Sequence, residues 1–437
     1  MLFGLNPSVV ATTILVVTYL LVIADRFDRS IIALLGGGVM IASGVLSQQE
    51  AIRGIDFNTI ALLTGMMILV AIARRSGVFE YLAIWAAQRV HASPAGILFL
   101  LAVVTAIISA LLDNVTTVLL VAPVTLSIAK RLEVAPFPFL FCEVMASNIG
   151  GTATLIGDPP NIMIGSAAGL SFNAFLIHLL PVIVVVMAAQ AVATHFLWGR
   201  ALHARPAARA AVMAMDAVST ILDRRLLNYS LIVMALVLLA FVLARAIGLE
   251  PGTIALLGAA ALMLLDNLEH HREAQTERIT ATYGDIDWIT IFFFVGLFIV
   301  VHGLEATGAI GALAQSLVNG VGGNLTYAVF VILWASAILS AIVDNIPFVA
   351  AMIPLIKAIA PSLGGDAALP VLWWALSLGA CLGGNGTLIG ASANLTVAGI
   401  AQKNGIGFGF LAYSRIAAPL SVISIVICQI YLWLRYL

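Results

Sequence analysis

The sequence predicts an all-α polytopic membrane protein: two inverted repeats that together carry about ten transmembrane helices plus two re-entrant helical hairpins and broken helices. Three observations predict it. Hydrophobic residues make up 62% of the 437 positions and charged residues only 9%, far from the balance of a soluble domain. Apolar runs of 17 or more residues recur, as in "SVVATTILVVTYLLVIA" (8–24), long enough to cross roughly 30 Å of hydrocarbon. Two distant segments nearly coincide, "SALLDNVTTVLLVAP" (109–123) and "SAIVDNIPFVAAMIP" (340–354). A β-barrel would need short segments of alternating polarity, whereas these runs are apolar on every face.

The elements follow in order. The first run (8–24) has no Lys or Arg ahead of it and no small-residue cleavage site behind it, so it is expected as a retained helix in a chain that starts at Met1, not a signal peptide. Spans at 30–46 and 57–73 come next. The amphipathic stretch "GVFEYLAIWAAQRVH" (77–91) reads as an interfacial helix that holds the following hairpin at the membrane surface. Residues 98–129 read as a hairpin of two half-length helices, and 137–168 as a span broken at "NIGGTATLIGDPPN" (148–161), whose glycines and prolines cannot sustain a regular helix. A span at 171–198 closes an N-terminal repeat (1–199). The charged stretch 200–227 reads as a linker, and 228–437 as the second repeat, with a hairpin at 325–360 and a broken helix at 368–403.

The repeat rests on four ordered matches. Besides the two Asp-Asn segments, "IDFNTIALLTGM" (55–66) matches "IDWITIFFFVGL" (286–297), "GGTATLIGDPPN" (150–161) matches "GGNGTLIGASAN" (383–394), and "ALLGG" (33–37) matches "ALLGA" (255–259). The positive-inside rule chooses between parallel and inverted copies. With the linker cytoplasmic and the second copy inverted, 16 of the 20 basic residues fall inside and both termini fall outside. Inverted repeats with discontinuous helices are the plan of secondary transporters, with the site near the midplane where the repeats meet.

Several classes are set aside by composition. A net charge of −1 recommends no nucleic-acid partner. Cys142, Cys381 and Cys428 lack metal-ligand spacing, lie in apolar stretches and read as buried thiols, so no metal or cofactor is expected. No Gly-x-x-x-x-Gly-Lys-Ser/Thr sequence occurs, so any ATP use would need a separate ATPase subunit. No His-Glu-x-x-His or similar constellation suggests an intramembrane enzyme, and two hairpins meeting at the midplane leave no continuous polar stripe for a channel.

The expected site lies at the hairpin tips and helix breaks. Asp113, Asn114 and Thr116 form the first tip; Asp344 and Asn345, followed by Pro347, form the second. Asp or Asn ahead of a helix start is a good cap, yet uncharged Ser or Asn would cap at lower desolvation cost, so acids here imply proton or ion chemistry. The first break adds Asn148, Thr152, Thr154, Asp158 and Asn161, and the second adds Asn385, Thr387 and Asn394, with Ala391 where the first has Asp158. Glu143, inside a span, joins Asp113 and Asp344 as a candidate for proton coupling; Asp56 and Asp287 read as helix caps, and His178 as a structural histidine.

At these motifs the sequence resembles the ion transporter superfamily, in the branch of arsenite and antimonite efflux permeases and the melanosomal P protein; the run "LLDNVTTVLLVAPVTLSIAKRLEVAPFPFLFCEVMASNIGGTATLIGDPPNIMIG" carries the likeness. The resemblance implies a transport domain of hairpins and broken helices moving against a scaffold of outer spans, commonly in a homodimer. Symporter tips resemble Ser-Asn-Thr, whereas Asp113-Asn114-Val115 and Asp344-Asn345-Ile346 stand here. With two fixed acids and no Arg or Lys expected in the pocket, a dianion is disfavoured against a cation, a proton or a neutral polyhydroxy solute bound in exchange for protons. The expected activity is proton-coupled export of arsenite or antimonite across the inner (plasma) membrane, with Asn114, Asn345, Thr154 and Thr387 as ligands. The alternatives are a sodium/proton antiporter and, more distantly, an anion/sodium symporter.

Overall fold

A computed structural model describes residues 6–24 and 26–437, and all regular structure among them is helical. Met1, the expected start, lies outside the described residues. The first half runs α1 (Pro7–Ile23), α2 (Arg29–Ala42), α3 (Gln48–Gly54), α4 (Phe57–Arg74), α5 (Val78–Arg89), α6 (Pro94–Leu111), α7 (Asn114–Arg131), α8 (Phe137–Thr152), α9 (Pro159–Ala168), α10 (Phe172–His178) and α11 (Leu180–Thr194). After α12 (Pro206–Met213), the second half repeats the order as α13 (Arg224–Ile247), α14 (Pro251–Asn267), α15 (Arg272–Gly284), α16 (Trp288–Ala306), α17 (Ala309–Val321), α18 (Leu325–Ile342), α19 (Asn345–Ile359), α20 (Leu369–Gly383), α21 (Ser392–Lys403) and α22 (Phe410–Tyr436). Nine helices among the described residues are long and apolar enough to cross a membrane, or ten if the pair α9–α10, bent by 115°, counts as one span.

Local chemistry sets many of the helix starts. Asp28, Asp56, Asp113, Asp223, Asp287 and Asp344 each cap a helix by accepting from a backbone amide two or three residues further on. Ser47 and Glu50 make a reciprocal capping box on α3. That box, with Gly44 in the left-handed conformation (φ 75°), ends α2 earlier than the span expected at 30–46. At 14 residues α2 is only about 21 Å long. The hairpin arms differ in the other direction. α6 and α7 have 18 residues each, about 27 Å, and so exceed the half-length arms expected. The segment expected as one span at 171–198 is broken, because Pro181 cannot continue α10.

Packing shows that the copies are inverted. Gly296 lies against Ala33 and Gly303 against Met40, so α2 and α16 run parallel with their backbones nearly touching. α4 runs the other way. Gly54, just before it, lies against His302 near the end of α16, while Arg75, just after it, bonds to Thr282 in α15, the helix that leads into the start of α16. Since α4 and α16 are the corresponding helices of the two halves, the second copy is upside down. The same two-fold pairing sets α4 along α14, where Gly65 lies against Ala255, as α2 lies along α16. It also sets α6 along α8 and α18 along α20, with Gly150 against Ala106 and Gly383 against Ala337. Small residues at each of these lines allow the close approach that stabilises helix pairs in a bilayer.

α5 lies against the hairpin that it is expected to hold. It buries Phe79, Ala83, Ile84, Ala86 and Ala87 and packs on both arms of the first hairpin. The linker is tied to the same place: Gln88 donates to the Met215 carbonyl (2.6 Å) and Arg209 to the His91 carbonyl (2.8 Å).

Candidate functional site

Each break is shaped by glycine. In the first, the backbones at Gly151 and Gly157 approach so closely that a Cβ on Gly151 would sit 2.4 Å from the Gly157 carbonyl oxygen; Gly384 and Gly390 repeat this in the second at 2.6 Å. Asparagines satisfy the unwound chain. The Asn161 amide donates to the carbonyls of Thr152 (3.1 Å) and Thr154 (2.9 Å), and the Asn394 amide donates to those of Gly384 (2.9 Å) and Thr387 (2.8 Å). The Thr154 hydroxyl donates to the Ala110 carbonyl, and the Thr387 hydroxyl to the equivalent Ala341 carbonyl, tying each break to its own hairpin.

The two halves meet through amide side chains. Asn114, at the first tip, donates to Asn148 Oδ1 (3.0 Å), and Asn148 donates onward to Asn385 (2.9 Å) and Asn394 (2.8 Å). At the related position, the Asn161 oxygen accepts from Ser377 (2.6 Å) and from the Cys381 thiol (3.6 Å). Cys381 therefore stands in the second half where Asn148 stands in the first, and takes part in the central network. Asn345, at the second tip, donates to Asp158 Oδ1 (3.3 Å). The other oxygen of Asp158 and the amide nitrogen of Asn385 are buried without a hydrogen-bond partner, the condition that costs most in a low-dielectric interior unless a ligand or proton satisfies it.

A cavity of about 160 Å³ opens onto this junction. Of the residues expected at the site, Asp113, Asn114, Thr116, Asp158 and Asn345 line it. Asn148, Thr152, Thr154, Asn161, Asn385, Thr387 and Asn394 lie behind its wall, where their polar groups serve the network above. Glu143 lies elsewhere: fully buried, it accepts from the Thr125 hydroxyl and leaves Oε2 without a partner. His178 bonds to the Tyr436 hydroxyl (2.6 Å) and stacks on Trp374, the structural role expected.

One expectation is overturned. Arg29 and Arg74 line the cavity, so basic groups are present after all. They come from the ends of α2 and α4, far in sequence from the tip and break motifs, and only the inverted packing brings them in. Arg29 bonds to Asp344 Oδ2 (2.7 Å), Ser392 Oγ (2.6 Å) and Thr290 Oγ1 (3.0 Å) and stacks over the Phe293 ring. The argument against an anion therefore fails. Asp285, Asp287, Thr290 and Ser392 also line the cavity. Asp287 does cap α16, accepting from the Thr290 amide (3.1 Å), yet it faces the cavity too, which the capping pattern could not reveal. Acids still outnumber arginines among the lining side chains.

A second cavity, of about 380 Å³, lies at the opposite end of α4 and α16. Its lining is the two-fold counterpart of the first: Phe298, His302 and Glu305 stand where Met67, Ala71 and Arg74 stand, and Asp56 where Asp287 stands. Unlike the first, it does not reach the hairpin tips.

With this geometry, comparison with known proteins places the chain. Residues 19–379 match the citrate transporter family, CitMHS. The chain belongs to that family. It is 44% identical over 433 residues to an uncharacterised transporter of Mycobacterium tuberculosis, covering 98% of this chain and 99% of that one. The P protein of Homo sapiens is 33% identical over 507 residues, covering 97% of this chain and 59% of that protein, in line with the resemblance expected. The fold is similar to that of the Alcanivorax borkumensis YdaH transporter, with a TM-score of 0.63, 14% identity and 98% coverage of both chains. It is also similar to Neisseria gonorrhoeae MtrF, with a TM-score of 0.56, 10% identity and coverage of 100% of this chain and 96% of that one. This family member is a multi-pass membrane transporter, not an enzyme.

Proposed function

We propose that the chain is a proton-coupled secondary active transporter that exports arsenite or antimonite from the cytoplasm. The observation that carries this reading is the convergence of Asp113, Asp158 and Asn345, from both tips and the first break, on one cavity in which Asp158 Oδ2 has no protein partner. Carboxylate and amide groups there can hydrogen-bond the three hydroxyls of As(OH)3, and acids that exchange protons can couple its movement to the proton gradient. Asp113 and Asp344 are the coupling acids and Asp158 a third; Glu143, buried away from the cavity, would act only as a remote proton site. The two-fold-related cavities supply the two access routes that a secondary transporter needs.

The count of basic residues supports an orientation with the 200–227 linker cytoplasmic, both termini outside and the first cavity open to the cytoplasm. In this reading 1–199 and 228–437 are the two repeats, the membrane is the cell's inner one, and the protein works as a homodimer. A second reading is favoured by Arg29 and by the family's name: a carboxylate such as citrate, held by the guanidinium and carried with protons or sodium.

Proteoliposomes loaded with a pH-sensitive dye test both. Arsenite or antimonite should evoke proton movement that is lost in Asp113→Asn. A response to sodium or lithium alone promotes the antiporter, and a response to citrate alone, lost in Arg29→Gln, promotes the anion carrier.

A further inference from the structure

The hairpins and broken helices form tightly packed pairs, α6 with α8 and α18 with α20, and the outer spans form others, α2 with α16 and α4 with α14. Among the described residues, polar links between these two groups include the bond from the Tyr19 hydroxyl to the Pro347 carbonyl (2.7 Å), that from Asn58 to Ser166 (3.1 Å), and the hold of Arg29 on Asp344 and Ser392. Among the described residues, Arg29–Asp344 is the one ion pair that joins an outer span to a hairpin tip. It is well built. Ser392 also donates to Asp344 Oδ2 (2.8 Å), and Thr290, which anchors the guanidinium from α16, donates in turn to Asp287 (2.6 Å). Among the described residues it has no two-fold equivalent, because the match of "ALLGG" to "ALLGA" sets Pro251 opposite Arg29, and Asp113 makes no ion pair there.

We propose that the Arg29–Asp344 pair is a one-sided latch that fastens the second hairpin tip to α2 and biases the protein toward the state in which the first cavity reaches the site. The tip cannot move away from α2 without opening this pair, and since the first tip has no matching pair, opening it costs energy in only one of the two access states. Both side chains are partly shielded, with relative exposures of 25% and 16%, so the attraction is less screened than in a surface pair. Arg29 here is a positioning residue. The inference rests on the chain alternating between its two cavities, as proposed above.

The test needs no substrate. Met67 and Phe298 are two-fold mates, both partly exposed, one in each cavity, and the three native cysteines are buried. Met67→Cys and Phe298→Cys are labelled separately with a membrane-impermeant maleimide in vesicles of each orientation. Arg29→Gln and Asp344→Asn should each raise labelling at 298 relative to 67 by about threefold or more. Arg29→Lys and the exchange Arg29→Asp with Asp344→Arg should return the ratio toward that of the unaltered pair. If the ratio responds to other cavity substitutions but not to these, the latch is wrong and alternation stands. If the ratio never moves in any variant, both are wrong.

Discussion

The amide of Asn345 lies 3.3 Å from Asp158 Oδ1, so the tip of the second hairpin touches the break of the first broken helix. An acid from one repeat is thereby read by a neutral donor from the other. Asp158 has no counterpart in the second half, where Ala391 occupies the position. In Asp158→Asn the side chain keeps its shape and can still accept from Asn345, so the fold should be retained while the exchangeable charge is lost. Solute-evoked proton flux in proteoliposomes should fall about tenfold or more, the equivalent of roughly 1.4 kcal/mol, with monodisperse protein of unchanged thermal stability. An unchanged flux would remove Asp158 from the coupling.

Asn148 links three asparagines at the centre of the molecule. Asn148→Ala would leave buried polar atoms on Asn114, Asn385 and Asn394 without that partner. Each unsatisfied group costs roughly 1–3 kcal/mol, so a loss of at least about 2 kcal/mol is expected, read as a lower midpoint of thermal unfolding in detergent. Thr12→Ala, which removes only an exposed bond from α1 to its own backbone, should leave the midpoint within about 0.5 kcal/mol of its value.

The sequence carried the architecture because its physical causes are local. A run of apolar residues must span, Gly and Pro at the breaks must unwind the chain, and Asp113 and Asp344 recur at one offset whatever the packing. The hairpins at 94–131 and 325–359 and both breaks lie where those signals sit. Arg29 is different. In the sequence it is a charge at the start of a span, indistinguishable from Arg26 three residues earlier; only the parallel packing of α2 on α16 aims it at Asp344. Asp287 likewise shows its capping role in sequence and its cavity role only in three dimensions. The tip acids could be found from motifs, whereas the groups that answer them from the outer spans required the fold.

Asp28 places Arg29 by capping α2, accepting from the Ser30 amide (2.8 Å) and the Ser30 hydroxyl. Those bonds hold its carboxyl below the usual carboxylate range. A carboxyl depressed in the folded state contributes stability that is present above its unfolded value, near 4, and is lost as pH falls through the lower folded value. Asp28→Ala should therefore destabilise at neutral pH by roughly 0.5–2 kcal/mol, and the difference from the unaltered protein should shrink in strong acid. Thermal unfolding midpoints at neutral pH and near pH 3 check this. A difference that grows on acidification would contradict the cap.

The close backbone lines between helices make the sharpest packing prediction. A Cβ on Gly296 would sit 2.3 Å from the carbonyl carbon of Ala33, and one on Gly65 2.6 Å from that of Ala255. Backbone cannot move aside as a flexible side chain can, so Gly296→Ala and Gly65→Ala must push α16 from α2 and α14 from α4. Overpacking of this kind costs about 1–3 kcal/mol. Gly311, inside α17, has open space around it, and Gly311→Ala should stabilise by about 0.4–1 kcal/mol, because it removes freedom from the unfolded chain without meeting an obstacle. The contrast in sign between equal substitutions, measured as unfolding midpoints, isolates packing from helix propensity. If Gly296→Ala and Gly311→Ala shifted the midpoint alike, α2 and α16 would not be in backbone contact, and the parallel pairing that inverts the second repeat would lose its main support.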